Sequence, residues 1–153
     1  MAHKMDNIDR SILRALQKNA GLSQRELADR VGLSQNACWR RLNILRENGL
    51  LGSHTLRLDP ASLGLGLTVF VMIRTRHHSR EWLEQFHQVV TAIPNVIDFY
   101  RVAGDYDYML KIITQDMAAF DDVYRGLISR VELDTVTSYM AMETIAANRD
   151  LPV

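Results

Sequence analysis

The side chains best suited to recognise another molecule are concentrated between Gln35 and Arg41. This segment carries amide, indole and guanidinium groups, contributed by Gln35, Asn36, Trp39, Arg40 and Arg41. Amides and guanidinium groups hydrogen-bond the edges of nucleic-acid bases, and arginine also pairs with phosphates. An ordinary exposed helix more often carries mixed Glu and Lys pairs. The composition therefore favours recognition of a nucleic acid.

The preceding residues predict the helices that would present this segment. Leu27, Ala28 and Val31 recur at i, i+1 and i+4, which gives a first helix one apolar face, and Ala28 is small enough to admit a crossing helix. Gly32 suits a left-handed helix terminus, and Ser34 can cap the next helix with its hydroxyl. The spacing predicts two short helices joined by a tight turn.

The second of these helices is predicted to have an apolar and a polar face. Cys38, Leu42 and Leu45 recur at i, i+4 and i+7 and should point inward. The outward positions are polar or aromatic: Gln35, Asn36, Trp39, Arg40 and Asn43. This arrangement is typical of a helix-turn-helix that binds DNA, although an αα corner with a solvated polar face has the same periodicity.

We expect the helix that begins at Ser34 to enter the major groove of a duplex. Base edges would be contacted by Gln35, Asn36 and Arg40, and Trp39 would pack on a sugar or a thymine methyl group. Arg41 and the start of the first helix would hold phosphates. The predicted DNA-contacting residues are Ser23, Gln24, Ser34, Gln35, Asn36, Trp39, Arg40 and Arg41.

Charge is unevenly distributed in a chain whose formal net charge is zero. Residues 1–54 hold nine Lys and Arg against five Asp and Glu, whereas the remainder holds nine against thirteen. A basic amino-terminal module can neutralise phosphates, and an acidic remainder is poorly suited to lie on DNA. With 153 residues and 47% hydrophobic content, the chain can form two small domains with modest cores.

No disulfide, membrane segment or metal site is predicted. Cys38 is the only cysteine, and its inward position suits a small apolar residue better than a sensing thiol. The apolar stretch 65–73 is too short to cross a bilayer, and Met1 to Lys4 lack the apolar core of a signal peptide. His77 and His78 are adjacent and diverge in direction, so a solvated loop is favoured over metal ligation. We expect a cytoplasmic protein.

Turn and cap residues divide the chain into two modules. Asp6 can cap a further helix, so the amino-terminal module has three helices and ends at the Asn48–Gly49 pair. Residues 50–58 favour an extended connector or a short strand, and Pro60 and Gly64 mark a boundary. The predicted domains are residues 1–49 and 65–153, with a linker at 50–64.

The second module alternates short apolar runs with helical periods. Residues 67–75, 96–103, 108–114 and 133–142 predict strands, and residues 80–93 and 117–128 predict helices. The order βαββαβ indicates a ferredoxin-like fold with both helices on one face of an antiparallel sheet. Some strands are apolar on both sides, so we expect the other face to meet a second copy. The fold class is α+β, with a winged-helix-like helix-turn-helix domain first.

Several motifs are distributed over nearly the whole chain. They are the runs Asp6–Leu13, Leu27–Ser34, Arg40–Leu45, Leu63–Gly64 and Val102–Tyr108, together with Gly49. In combination they resemble the Lrp/AsnC family of feast/famine transcription regulators. The resemblance implies a homodimer, often assembled into an octamer, that binds double-stranded DNA and an amino-acid effector held between carboxy-terminal domains.

The resemblance also implies an effector pocket at the central hairpin. Its residues are Gly104, Asp105, Tyr106 and Asp107, with Thr137 and Ser138 from the last strand. Backbone N–H groups at the glycine turn could hold an α-carboxylate, and Asp105 or Asp107 could take the ammonium. A solvated turn would have the same composition.

Two further segments bear on specificity. His77–Trp82 is similar to a branch of the family that responds to cysteine, which suggests cysteine as the effector. Gln35–Asn36 departs from the family, where a serine–proline or similar pair is commoner. The family's DNA sequence preference therefore does not carry over.

These observations predict a sequence-specific DNA-binding transcription regulator that is modulated by an amino acid and is not an enzyme. One alternative is an amino-acid-binding module without DNA binding, which salt-dependent affinity for duplex DNA would distinguish. A small ferredoxin-like enzyme is the other alternative. The sequence offers it no phosphate-cradling loop, nucleophile elbow or metal-ligand cluster.

Overall fold

The computed structural model describes residues 4–153 and divides into two compact units. The helical unit comprises the chain up to Arg57 together with Ala146–Val153, and the sheet unit comprises Leu58–Ile145. These bounds differ from the predicted domains, because residues 50–57 and 146–153 both pack with the helices. The prediction made for Met1 to Lys4 falls mostly on residues outside the described range.

The helical unit contains three helices, α1 (Asn7–Lys18), α2 (Gln24–Val31) and α3 (Gln35–Glu47). Helices α1 and α3 begin at the predicted caps Asp6 and Ser34, and α2 begins at Ser23; each of these side chains accepts a backbone N–H from the first turn. Gly32 ends α2 with φ 69°, a left-handed conformation that glycine adopts without steric cost. The helix-turn-helix predicted from these residues is confirmed.

The apolar sides of the three helices form one core. Its buried members are Ile12, Leu13, Ala15, Leu27, Ala28, Cys38, Leu42 and Leu45. The inward positions predicted for α3 are therefore confirmed. Residues 50–58 form neither helix nor strand within the described chain, so the short strand offered as one alternative is absent there.

Residues 150–153 complete the helical unit from the far end of the sequence. The Gln17 side chain accepts the Leu151 N–H at 2.6 Å and donates to the Leu151 carbonyl at 3.1 Å. Arg14 Nε donates to the Val153 carbonyl at 2.8 Å, and the Val153 side chain packs against the core. A glutamine amide that pairs with both backbone groups of one residue replaces the partner that a neighbouring strand would supply.

The sheet unit has the predicted order βαββαβ. Its elements are β1 (Leu67–Arg74), α4 (Arg80–Thr91), β2 (Val96–Arg101), β3 (Tyr108–Thr114), α5 (Met117–Ile128) and β4 (Thr135–Met140). The strands form one antiparallel sheet in the order β2-β3-β1-β4. The ferredoxin-like fold is confirmed, with β1, β2 and β4 shorter than predicted.

The two faces of the sheet differ in what covers them. Val69, Val71 and Ile73 of β1 are buried in a core that includes Phe86 of α4 and Phe120 of α5. Side chains alternate along a strand, so the intervening residues lie on the face without helices. That open face presents Phe70, Met72, Tyr100, Met109 and Tyr139.

The Gln17 contact predicts a local change in amide exchange. In Gln17→Ala the Leu151 N–H loses its acceptor, and a net hydrogen bond of about 0.5–1.5 kcal/mol corresponds to roughly 2- to 10-fold faster exchange. Hydrogen–deuterium exchange at Leu151 measures this. Gln88→Ala, at an exposed position of α4, is the matched control. Equal exchange in both variants would contradict the pairing.

Candidate nucleic-acid interface and effector site

The polar row on α3 is exposed, as the sequence predicts. Gln35, Asn36, Trp39 and Arg40 lie at the surface, and Trp39 exposes 56% of its area although it is the largest apolar side chain of the helix. Asn43, one turn further on, is half-buried, and its side-chain oxygen accepts from Arg46 Nη1 at 3.4 Å. An exposed indole flanked by amide and guanidinium donors offers stacking and hydrogen-bonding groups on one surface.

The starts of α2 and α3 are also exposed. The Ser23 oxygen accepts the Glu26 N–H at 3.2 Å, and the Glu26 carboxylate accepts the Ser23 N–H at 2.8 Å. The Ser34 oxygen accepts the Ala37 N–H at 3.3 Å. A serine oxygen that accepts a capping bond still carries a hydroxyl hydrogen that it can donate. Helix starts of this kind suit phosphate oxygens.

Arg41 is placed differently from the other predicted DNA contacts. It is half-buried, and its Nη1 atom lies 2.7 Å from Asp9 Oδ1 and 2.8 Å from Asp6 Oδ2. Its hydrogen bond to Asp9 raises the pKa of Arg41. The structure therefore engages this guanidinium with carboxylates of its own chain, whereas the sequence predicts a phosphate contact.

Exposed basic side chains outnumber exposed acidic ones in the helical unit. Its exposed basic residues are Lys4, Arg14, Lys18, Arg25, Arg30, Arg40, Arg46, Arg57 and Arg149, against the exposed acids Asp6, Glu26, Asp29, Glu47 and Asp150. The charge asymmetry of the sequence thus becomes a basic surface on the same unit that carries the polar row.

Cys38 is fully buried in the helical core, and burial raises the pKa of its thiol. A buried thiol with a raised pKa is a poor nucleophile, because the thiolate is the reactive form. The expected role as a small apolar residue agrees with this position. Among residues 4–153, no group of three or more His, Cys, Asp or Glu side chains is arranged to hold a metal ion.

The hairpin between β2 and β3 is held by hydrogen bonds at its base. The Val102 N–H donates to the Asp107 carbonyl at 2.8 Å, and the Asp107 N–H donates to the Ile73 carbonyl at 2.9 Å. The Asp107 carboxylate accepts the Thr75 N–H at 2.8 Å. Gly104 has φ 133°, a backbone conformation that residues with a side chain rarely adopt. Asp107 thus fastens the hairpin to the end of β1, and Asp105 stays exposed.

Two of the predicted effector residues are in direct contact. The Tyr106 hydroxyl lies 3.1 Å from Thr137 Oγ1, which joins the hairpin to β4. A hydrogen bond with Tyr106 also raises the pKa of Tyr139. Ser138 lies on the opposite face from Thr137, because side chains alternate along β4 and Ser138 pairs with the buried Val71. The structure therefore groups Tyr106 with Thr137 and separates Ser138 from them.

The loop between β1 and α4 has its own polar contacts. His77 Nε2 lies 3.5 Å from Glu132 Oε2, and its ring stacks on Trp82 at a centroid distance of 6.3 Å. Trp82 Nε1 donates to the Glu132 carbonyl at 3.2 Å. Both His77 and His78 are exposed, in agreement with a solvated loop.

Sequence reasoning missed several contacts around these sites. The spacing of Asp6 and Asp9 indicates a helix cap, but no local pattern reveals that both carboxylates also reach Arg41, more than 30 positions away. The bond from Thr75 to Asp107 likewise depends on strand pairing. Alternation in β4 was a signal that could have separated Thr137 from Ser138.

The chain's described part, residues 4–153, includes no helix with the length and apolarity needed to traverse a bilayer.

Two family models match the chain, one over the three amino-terminal helices and the other over the sheet unit and most of the segment that follows it. Residues 5–51 match a winged helix-turn-helix DNA-binding model. Residues 68–151 match the Lrp/AsnC ligand binding domain. Together they account for most of the sequence.

Curated relatives match along nearly their whole length. The glutamate uptake regulatory protein of Zymomonas mobilis is 43% identical over 153 residues, covering 100% of this chain and 93% of the relative. The DNA-binding transcriptional activator DecR of Escherichia coli is 44% identical over 150 residues, covering 97% of this chain and 99% of the relative.

Solved structures show the same fold. An AsnC family transcriptional regulator from Agrobacterium tumefaciens superposes with a TM-score of 0.93 at 44% identity, covering 97% of each chain. A transcriptional regulator of Neisseria meningitidis in complex with L-Met superposes with a TM-score of 0.91 at 32% identity, again covering 97% of each chain.

Fold, exposed α3 row and relatives together define a DNA-binding transcriptional regulator that combines a helix-turn-helix with a ligand-binding domain. The chain belongs to the Lrp/AsnC family. The resemblance seen in its motifs is confirmed.

Proposed function

We propose that α3 reads base edges in the major groove through Gln35, Asn36 and Arg40. The observation that carries this assignment is the division of α3 into a fully buried apolar side and an exposed polar row. Amide and guanidinium groups supply the donors and acceptors that distinguish base pairs. Trp39, which is half-exposed beside them, packs on a sugar or a thymine methyl group.

Phosphate contacts come from the helix starts and the basic surface. Ser23, Gln24 and Ser34 lie at exposed helix starts, where backbone N–H groups and the helix dipole favour an anion. Exposed arginines around them supply the salt-dependent part of the affinity. The protein then acts in the cytoplasm, where its DNA is found, and its regulator relatives support a role without catalysis.

A second copy of the chain is the proposed occupant of the open sheet face. That face presents Phe70, Met72 and Met109 at its centre and the half-exposed Tyr100 and Tyr139 toward its edges. In a two-fold pair of such faces the apolar side chains of one copy meet those of the other, and Lys111, which lies opposite Phe70 on the same face, is paired with Asp98 at 4.0 Å. A dimer also pairs two helix-turn-helix units, as a pseudo-palindromic DNA site requires. Further association of dimers, up to an octamer, follows the family.

An amino acid is the proposed effector, and the Neisseria relative in complex with L-Met supports this class of ligand. Gly104 and its neighbours offer backbone N–H groups to the α-carboxylate, and the Tyr106 and Thr137 hydroxyls add side-chain donors. Asp105 takes the ammonium, because the Asp107 carboxylate already accepts from Thr75. Ser138 faces away from this group, and cysteine, suggested by residues 77–82, is the first ligand to examine.

The effector acts by changing how dimers associate. A ligand shifts an equilibrium only by its preference for one assembly over another. Effector binding then selects which spacings between DNA sites the assembly can bridge, without touching α3.

Arg40→Ala tests the DNA contact. Loss of a base contact should cost about 1–3 kcal/mol of binding and relax specificity at one base position. Gel shifts on genomic fragments retained by the protein measure this. Arg101→Ala removes the same charge from an exposed position of β2 and is the control. Unchanged binding by Arg40→Ala would remove Arg40 from the interface. No retained fragment for the parent protein would favour the amino-acid-binding alternative.

Sedimentation equilibrium at micromolar concentration tests the dimer. The protein should sediment at twice its 17.5 kDa mass or as a multiple of that dimer. Met72→Lys puts a charge at the centre of the open face and should yield monomer, because an unpaired charge is costly to bury. Ile128→Lys, at an exposed position of α5, should leave the dimer intact. A parent protein of only 17.5 kDa would contradict the interface.

Calorimetry with individual amino acids tests the effector site. One or more should bind, and Asp105→Asn should weaken that binding at least about tenfold, because a hydrogen bond to a charged group contributes about 1.5–3 kcal/mol. Asp122→Asn, at an exposed position of α5, is the control. Light scattering with and without the ligand then reports the change in assembly. No binding at millimolar concentration would contradict the effector model.

A further inference from the structure

The guanidinium of Arg41 is held by two carboxylates at the start of α1. One nitrogen, Nη1, is shared by Asp9 Oδ1 at 2.7 Å and Asp6 Oδ2 at 2.8 Å. The side chain of Asp9 is only 2% exposed, that of Arg41 is 28% exposed and that of Asp6 is 49% exposed. The ion pair therefore runs from the buried interior of the helical unit to its surface.

Each carboxylate divides its two oxygens between two tasks. Asp6 Oδ1 accepts the Asp9 N–H at 2.8 Å, and Asp9 Oδ2 accepts the Asp6 N–H at 3.2 Å, which forms the cap of α1. The other oxygen of each residue binds Arg41. Because the cap fixes the rotamers of both acids, the guanidinium meets a rigid acceptor rather than two mobile surface chains.

The ion pair can fix the rotation of α3, which the apolar core alone does not. Cys38, Leu42 and Leu45 bury α3, but apolar contacts are non-directional and tolerate small rotations of a helix. A charged hydrogen bond of 2.7 Å to a buried acid fixes direction. Arg40 is adjacent to Arg41 in sequence, about 100° around the helix, so the rotation that Arg41 fixes also sets where Arg40 points.

We propose that Arg41 is a positioning residue, clamped by Asp6 and Asp9, that sets the rotation of α3 for base reading instead of gripping a phosphate. The proposal rests on the DNA-reading function proposed above. It assigns the two acids a part in DNA binding although their charge has the same sign as that of the phosphates.

The charge states fit the clamp. The backbone N–H of Asp9 and the guanidinium of Arg41 lower the pKa of Asp6. A lowered pKa keeps Asp6 ionised through the neutral range, and its contribution is lost only as the pH falls through the lowered value.

Charge-neutralising variants distinguish a positioning role of Arg41 from a phosphate contact, because the two roles predict opposite changes in DNA binding. Asp6→Asn keeps a good helix cap, since asparagine caps as well as aspartate, but removes one carboxylate from the clamp. Asp9→Asn removes the buried one. Asp29→Asn, at an exposed position of α2, makes the same change in net charge and is the control. Gel shifts against a retained fragment and an unrelated duplex, at several salt concentrations, give the measurements.

The clamp predicts a loss of specificity. Asp6→Asn and Asp9→Asn should weaken binding to the retained fragment at least about fivefold relative to Asp29→Asn, with binding to the unrelated duplex changed by less than about twofold. Arg41→Gln should behave likewise and leave the salt slope unchanged. Thermal melts define a temperature at which all variants are folded, and Asp6→Asn decides the question if Asp9→Asn does not fold.

A phosphate contact predicts the reverse. Freeing Arg41 from its acids would then strengthen binding to both duplexes, and Arg41→Gln would lower the salt slope by about one. Either result would overturn the positioning role. Asp6→Asn binding the retained fragment as well as Asp29→Asn does would also overturn it. Failure of the function proposed above is distinct, because the parent protein itself would then retain no DNA.

Discussion

The burial of one side of α3 is the constraint on which the DNA-binding half depends. Cys38 and Leu45 are fully buried, and Ala28 of α2, also fully buried, is small enough for two helices to cross closely. Once that side is committed to the core, every remaining position on α3 must face outward or sideways. Gln35 and Arg40 are exposed because the apolar stripe of α3, formed by three buried residues, lies on the other side of the helix.

In the sheet unit a similar division acts on strands instead of helices. Val69 and Val71 of β1 are committed to the helix-covered core, which sends Phe70 and Met72 to the other face. A strand with period two cannot hide both sets under one layer of helices. The sheet unit therefore has apolar side chains on the face that the helices leave uncovered. The hairpin at the end of the sheet carries the polar groups that join it to the end of β1 and to β4.

Local patterns were enough to predict most of the fold. The caps at Asp6 and Ser34 and the glycine at Gly32 each depend on residues within four positions, so local sequence is enough to indicate them. The site was less predictable. Neighbouring residues alone indicate that Arg41 is a surface cation and that Asp107 is a turn residue. Their partners, Asp9 and Thr75, are distant in sequence, so local patterns do not reveal these contacts. The packing of residues 151–153 on the helices was not predicted for the same reason: nothing local shows that Leu151 pairs with Gln17.

That pairing makes the helical unit discontinuous in sequence. Residues 58–145 are inserted between its two parts, so two covalent crossings join the units. During synthesis, the ribosome delivers Leu151 and Val153 only after the whole of the inserted sheet unit. The helix-turn-helix can form early, but the hydrogen bonds from Arg14 and Gln17 to residues 151–153 can form only afterwards.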